Sequence, residues 1–185
     1  LTLSTLKSVD YVIITSLTGS KNQGLFKKVL SLAKTHKKPV IFAPSMTMLK
    51  KHVQKLRKLT YTFDMVIMNY EEACFFTQKK NVKSILSSLP GRVAVITKDT
   101  EGAFARENKK FMRINSLPLK PKNTAGAGDV FCGAFVHTFY KTHSLSKALK
   151  VGTAVAHMKL RKMEPEITCF PTQISSFLNN YGKKL

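Results

Sequence analysis

The segment Asn123-Thr124-Ala125-Gly126-Ala127-Gly128-Asp129 carries the residue types best suited to chemistry. Gly126, Ala127 and Gly128 have almost no side chain, so a ligand can approach their backbone closely. The spacing predicts a helix opening at this point, and amides at a helix N-terminus point outward with the positive end of the dipole. That makes a cradle for a phosphate or an oxyanion. Asp129 then stands beside an anion site, where a carboxylate is repelled unless it has a task. The task that fits is general base, taking the proton from an alcohol that attacks a phosphorus held by those amides. A dinucleotide fingerprint does not fit, because Phe131 fills the third glycine position and a Pro-rich link precedes the turn. Nor is there a Gly-Lys-Ser/Thr of a Walker loop.

Two further segments join this one. Asn69-Tyr70-Glu71-Glu72 follows the apolar run Asp64–Met68, and Thr97-Lys98-Asp99-Thr100-Glu101-Gly102 follows Arg92–Thr97. Taken alone, Asn69 and Glu72 also spell an ordinary helix start with an acid in its first turn.

The elements that must position these loops alternate. Strands are expected at Val9–Thr15, Pro39–Ala43, Asp64–Met68 and Arg92–Thr97, each nearly all apolar. Helices are expected at Lys21–His36, Thr47–Leu59, Tyr70–Thr77 and Asn81–Leu89, the first two with lysines on the outer face. Gly102–Arg106 and Lys110–Asn115 read as a hairpin turning at Glu107-Asn108-Lys109. Helices Gly128–Lys141, Ser144–Leu160 and Thr172–Tyr181 close the chain. This is the pattern of an α/β fold with a parallel sheet covered on both faces. Ligands in such sheets bind beyond the carboxyl ends of the strands, which singles out Thr15–Ser20, Pro44–Met48, Asn69–Glu72, Thr97–Gly102 and Asn123–Asp129. If the first three strands lie in consecutive order, the first two helices share a face and their lysines form one basic surface.

The segment Asn123–Phe131 with Gly133-Ala134 resembles the hallmark of the PfkB family of carbohydrate and nucleoside kinases, Asp-Thr-x-Gly-Ala-Gly-Asp, in all but its first position. Asn69–Glu72 is similar to that family's Asn-x-x-Glu, and Thr97–Gly102 to its Thr-x-Gly-x-x-Gly, with Asp99 in place of the first Gly. The motifs stand in family order, and the strand–helix pattern fits across all 185 residues. The resemblance implies a three-layer, parallel-sheet ribokinase-like fold in which residues 1–185 are the C-terminal, nucleotide-binding and catalytic part. The earlier part, with the lid and most sugar contacts, would come from the rest of the same chain or from a partner. It also implies ATP-dependent transfer of the γ-phosphate to a sugar or nucleoside hydroxyl, with Asp129 as base and the amides of Gly126, Ala127 and Gly128 as anion hole. Asn69 and Glu72 would position Mg²⁺ near the phosphates, and Thr97, Gly102 and Thr124 would contact ATP. Asn123 stands where many relatives place an Asp that helps hold a monovalent cation, so activation by that cation is not carried over. Asp99 adds negative charge where phosphates should lie.

Charge opens a second class of function. Lys and Arg total 31 against 10 Asp and Glu, a net charge of +21. No carboxylate occurs between Asp10 and Asp64, while eleven Lys and Arg do; Val130–Met163 is likewise acid-free. Such a field attracts polyanions. The alternative is therefore a catalytically impaired, kinase-derived domain kept as an RNA-binding scaffold of a ribonucleoprotein, such as a mitochondrial ribosome. Tyr61, Phe63 and Phe111 could stack on bases, though strand-edge packing explains them as well. Cys74, Cys132 and Cys169 are odd in number and far apart, which argues against a disulfide scaffold or zinc site and for a reducing compartment, cytosol or mitochondrial matrix. A hydrophobic fraction of 43% suffices for a core. No apolar run approaches the ~20 residues of a membrane span. The chain opens on Leu1 rather than Met, as a processed or shortened chain does, with no signal-peptide pattern.

Overall fold

A computed structural model describes residues 6–16, 19, 22–59, 62–163 and 171–181. Six strands form one sheet in chain order: β1 (Val12–Ile14), β2 (Val40–Phe42), β3 (Met65–Asn69), β4 (Val93–Thr97), β5 (Ala103–Glu107) and β6 (Lys110–Ile114). The helices are α1 (Asn22–Thr35), α2 (Met46–Arg57), α3 (Tyr70–Thr77), α4 (Val82–Ser88), α5 (Ala127–Thr142), α6 (Leu145–Leu160) and α7 (Pro171–Tyr181). Every strand and helix expected from the sequence is present. β1 is shorter than Val9–Thr15, because only Val12–Ile14 pair with Val40–Phe42. Lys21, Tyr61 and Cys169 lie outside the described residues.

β1, β2 and β3 run parallel. Every side chain of β2 is buried, as are the first four of β3 and of β4. Successive side chains point to opposite faces, so both faces of these strands are covered. β5 and β6 turn on two residues, Asn108 and Lys109, and so must be antiparallel. The sheet is thus parallel at one edge and antiparallel at the other, the hairpin being its final addition.

The chain groups into two compact units, residues 1–96 with 106–110, and residues 97–105 with 111–185. In the first unit, α1 buries Phe26, Val29 and Ala33, and α2 buries Met48, Leu49 and Leu56. Phe63, which the sequence left open as a base-stacking candidate, is a core residue stacked on Phe42 with ring centroids 4.3 Å apart. Phe111 remains partly exposed, at 42%. Asp64 ends the acid-free stretch with a structural task, its Oδ2 accepting the Val40 N–H at 2.8 Å. The neighbouring Gly91, at φ +85°, brings its Cα so close to the Asp64 carbonyl that a Cβ would lie 2.7 Å from the oxygen.

The second unit is built on the helical pair α5 and α6. Phe131, Phe135 and Phe139 stack at successive i, i+4 steps along α5, 5.8 and 6.1 Å apart. Gly152 of α6 faces them, and a Cβ there would lie 3.1–3.2 Å from Phe131 and Phe135. Leu117, Ala154 and Phe177 join α7 to the pair. Cys132 is a buried thiol pushed up to about 12, first by burial and then by the charge of Asp129 one turn earlier.

Candidate active site

In the first unit the loops after β2 and β3 leave the same edge, because those strands are parallel neighbours. The β2 loop passes buried Pro44 and enters α2, whose N-cap Ser45 accepts the Met48 N–H on its Oγ at 3.3 Å. The β3 loop is Asn69 itself, the N-cap of α3. Asn69 Oδ1 accepts the Glu72 N–H at 2.8 Å, and Glu72 Oε2 accepts the Asn69 N–H at 3.0 Å, a reciprocal capping box. The second carboxylate oxygen, Oε1, accepts the Met46 N–H at 3.1 Å and so ties the two loops together. The helix-start role that the sequence offered for this pair is therefore filled.

The same geometry admits a metal held through phosphates. Glu72 is a carboxylate at the mouth of both loops, and Mg²⁺ is held by one or two carboxylates plus phosphates and water. Among the described residues there is no cluster of three or more His, Cys, Asp and Glu that would hold a metal within the protein alone.

In the second unit, Thr97 leads through Lys98 into a 3-10 turn, Asp99–Glu101. Gly102 has φ +92° and ψ −142°, and a Cβ there would lie 2.0 Å from the Ile114 carbonyl oxygen, so only glycine fits. Asp99 sits at φ +37°. Its left-handed backbone explains a glycine at this position in the motif, and Asp is among the residues that tolerate the conformation.

The Asn123–Asp129 loop lies in the same unit. Asn123 is a double tie: its Oδ1 accepts the Ala125 N–H at 2.9 Å, and its Nδ2 donates to the Met163 carbonyl at 2.8 Å. An Asp could not donate to that carbonyl, which gives the departure from the family's first position a local reason. The Lys122 N–H donates to the Leu160 carbonyl at 2.8 Å. The loop is thus laced to the C-terminal end of α6 at both residues.

Gly126 adopts φ +76° and serves as N-cap of α5 with no side-chain cap. By contrast α2, α3, α4 and α6 each begin on a Ser or Asn whose side chain takes an amide. The Ala127 N–H donates to the Thr124 carbonyl at 3.2 Å, whereas those of Gly126, Gly128 and Asp129 meet no backbone acceptor among the described residues. A Cβ at Gly128 would meet nothing within 4 Å, so the fold does not demand glycine there. Asp129 is exposed in the first turn, where the helix dipole favours an acid.

A model of pfkB family carbohydrate kinases matches residues 2–173. The chain belongs to that family. It is 32% identical over 85 residues to an ATP-dependent 6-phosphofructokinase of Thermoanaerobacterium thermosaccharolyticum, covering 46% of this chain and 26% of that protein. It is 27% identical over 128 residues to a nucleoside kinase of Thermoplasma acidophilum, covering 69% of this chain and 42% of that one. The pfkB chain therefore spans less than half the length of these relatives. Among solved structures, a putative ribokinase II from E. coli in complex with ATP and Mg²⁺ superposes with a TM-score of 0.85 at 18% identity, over 97% of this chain and 62% of that one. The fold is ribokinase-like. Among the described residues no helix is long and apolar enough to cross a membrane.

The sequence reading missed two buried cations, Arg106 and Lys159. Lys159 left a signal: it falls on the inward stripe of α6 formed by Leu145, Ala148, Leu149, Gly152 and Val155, where every other residue is apolar or small.

Proposed function

We propose that the protein is an ATP-dependent phosphotransferase acting on a sugar or nucleoside hydroxyl, and that this chain is its nucleotide-binding and catalytic part. The observation that carries the reading is the start of α5: a left-handed Gly126, open amides, free space at Gly128 and an exposed acid one residue on. Those amides face outward at the positive end of a 16-residue helix, so charge developing on a transferring phosphoryl group is stabilised there. The Ala127 amide is turned onto Thr124, which leaves Gly126 and Gly128 as the principal donors of the anion hole. Asp129 takes the proton of the attacking hydroxyl.

Glu72 and Asn69 would hold Mg²⁺ through ATP phosphates and water, and the metal would neutralise charge on the phosphates. Thr97, Gly102 and Thr124 would border the nucleotide. The names of the relatives support sugars and nucleosides as acceptor class. The acceptor-binding remainder would come from elsewhere in the protein or from a partner.

The test is ATP turnover by the full-length protein on a panel of sugars and nucleosides. Asp129→Asn should lower turnover by ~10²–10⁴-fold with ATP affinity largely kept. An unchanged rate removes Asp129 as base.

The scaffold reading keeps one supporting observation, the exposed lysines of α1 and α2, among them Lys27, Lys28, Lys34, Lys50, Lys51 and Lys55, with Lys58 at the end of α2. It requires RNA affinity that falls steeply with salt. Absence of such binding leaves the lysines as a solvated surface.

A further inference from the structure

Lys159 is fully buried at the end of α6, and among the described residues its Nζ meets no hydrogen-bond partner. The two ion pairs recorded among those residues, Arg92–Glu107 and Lys98–Glu101, do not involve it. An ammonium removed from water without a partner is strongly unfavourable, and a chain that retains one needs a reason.

Its position supplies the reason. Gly152 lies on the same face of α6 two turns earlier and touches Phe131 and Phe135 of α5. The two helices pack against each other and are joined only by His143 and Ser144, so they run antiparallel. Moving seven residues along α6, about 10.5 Å of helix, brings the facing level on α5 back from Phe131–Phe135 to its first turn. Lys159 therefore stands level with Gly126–Gly128. The hydrogen bonds from Lys122 to Leu160 and from Asn123 to Met163 fix the loop there independently.

We propose that Lys159 is the fixed cation behind the anion site at residues 126–129, a buried ammonium whose field raises the affinity of that loop for a phosphoryl group. It touches no ligand and acts through the low-dielectric interior onto the space in front of the open amides, so it is a positioning residue. No side chain among the described residues meets its Nζ, which leaves the group open toward an incoming anion. The proposal rests on the reading of this loop as a phosphoryl site and adds a component to it.

The experiment is calorimetric titration of the full-length protein with inorganic phosphate and with ADP, for wild type, Lys159→Met, Lys159→Arg and Asp129→Asn. Lys159→Met keeps the volume and removes the charge; it should melt higher than wild type and bind both probes about ten-fold more weakly. Lys159→Arg should restore most of the affinity. A Lys159→Met protein that binds phosphate as tightly as wild type overturns the proposal, as does a wild type that binds neither probe. If Lys159→Met does not fold, the wild type still decides: its Lys159 ammonium resonance, assigned by loss in Lys159→Arg, should shift as phosphate is added, and a resonance that stays fixed overturns the claim. The two readings separate cleanly. Lost turnover in Asp129→Asn with unchanged phosphate binding in Lys159→Met keeps the kinase and removes Lys159. Weakened phosphate binding in Lys159→Met with unchanged turnover in Asp129→Asn keeps the anion site and removes the base.

Discussion

Among the described residues each unit buries one Lys or Arg, and the two are treated in opposite ways. Arg106 in the first unit is 9% exposed. Its guanidinium donates to the carbonyls of Leu86 at 2.7 Å, Leu89 at 2.9 Å, Gly91 at 3.1 Å and Asn108 at 3.0 Å. Those carbonyls belong to the end of α4 and the turns beside β4 and β5, where helix and strand ladders leave acceptors unused. Arg106 is thus a brace, its charge spread over backbone dipoles although burial pulls its pKa down. Lys159 in the second unit is more deeply buried, and its Nζ meets no hydrogen-bond partner among the described residues. Full burial alone does not distinguish structure from function here; satisfaction does. A planar fork with five donors can close several carbonyl ends at once, whereas a point ammonium left open keeps its field for something that arrives later.

That contrast can be broken most forcefully at Arg106. Arg106→Met should cost about 3–5 kcal/mol in unfolding free energy by denaturant titration, because it strands several carbonyls at once. It should leave the phosphate affinity of the folded protein alone. A loss below about 1 kcal/mol would mean that the brace is ornamental and that the comparison with Lys159 fails. A smaller effect is expected at Asn123. Asn123→Asp removes the donor to the Met163 carbonyl and sets oxygen against oxygen, for a cost of about 1 kcal/mol. Phosphate binding should weaken with it, since the loop loses a tie to the end of α6. Unchanged stability and binding would show that the lacing does not hold the site in place.

The smallest effect is a pH slope. His157, buried beside Phe177, has its pKa pulled down, first by burial and then by Arg161. A depressed folded value favours the neutral ring in the native state. Its contribution is therefore complete above the ordinary histidine pKa of about 6.5 and is lost as pH falls below that. The melting temperature should drop between pH 7 and pH 5, and His157→Gln should flatten that slope. An equally steep slope in the variant would assign the acid sensitivity to other groups.

Much of this arrangement could be read before any coordinates. Apolar runs bounded by Pro, Gly and Ser gave the strands, and lysine-outside, leucine-inside spacing gave α1 and α2, since burial on a helix or strand has a fixed period. The Asn123–Asp129 turn stood out because bare backbone followed by an acid exceeds what capping alone needs. The double use of Glu72 was half legible. The capping box is local and follows from the spacing of Asn69 and Glu72, but the bond to the Met46 amide depends on β2 and β3 being parallel neighbours. Phe63 shows the limit from the other side. Its flanks resemble an edge, and only its stack on Phe42 places it in the core. Arg106 and Lys159 were passed over because one basic residue in a very basic chain carries little information.

The sequence by itself determined the local chemistry: the strand and helix periods, the left-handed glycine turn at the head of α5, the acid beside it and the basic excess. These depend on neighbours within one or two helical turns. Tertiary structure alone decided which groups lose water and whether they find partners when they do. Arg106 meets carbonyls from residues 86 to 91, and Lys159 meets none among the described residues. Desolvation and long-range pairing are set by which surfaces pack together, and no local spacing encodes that.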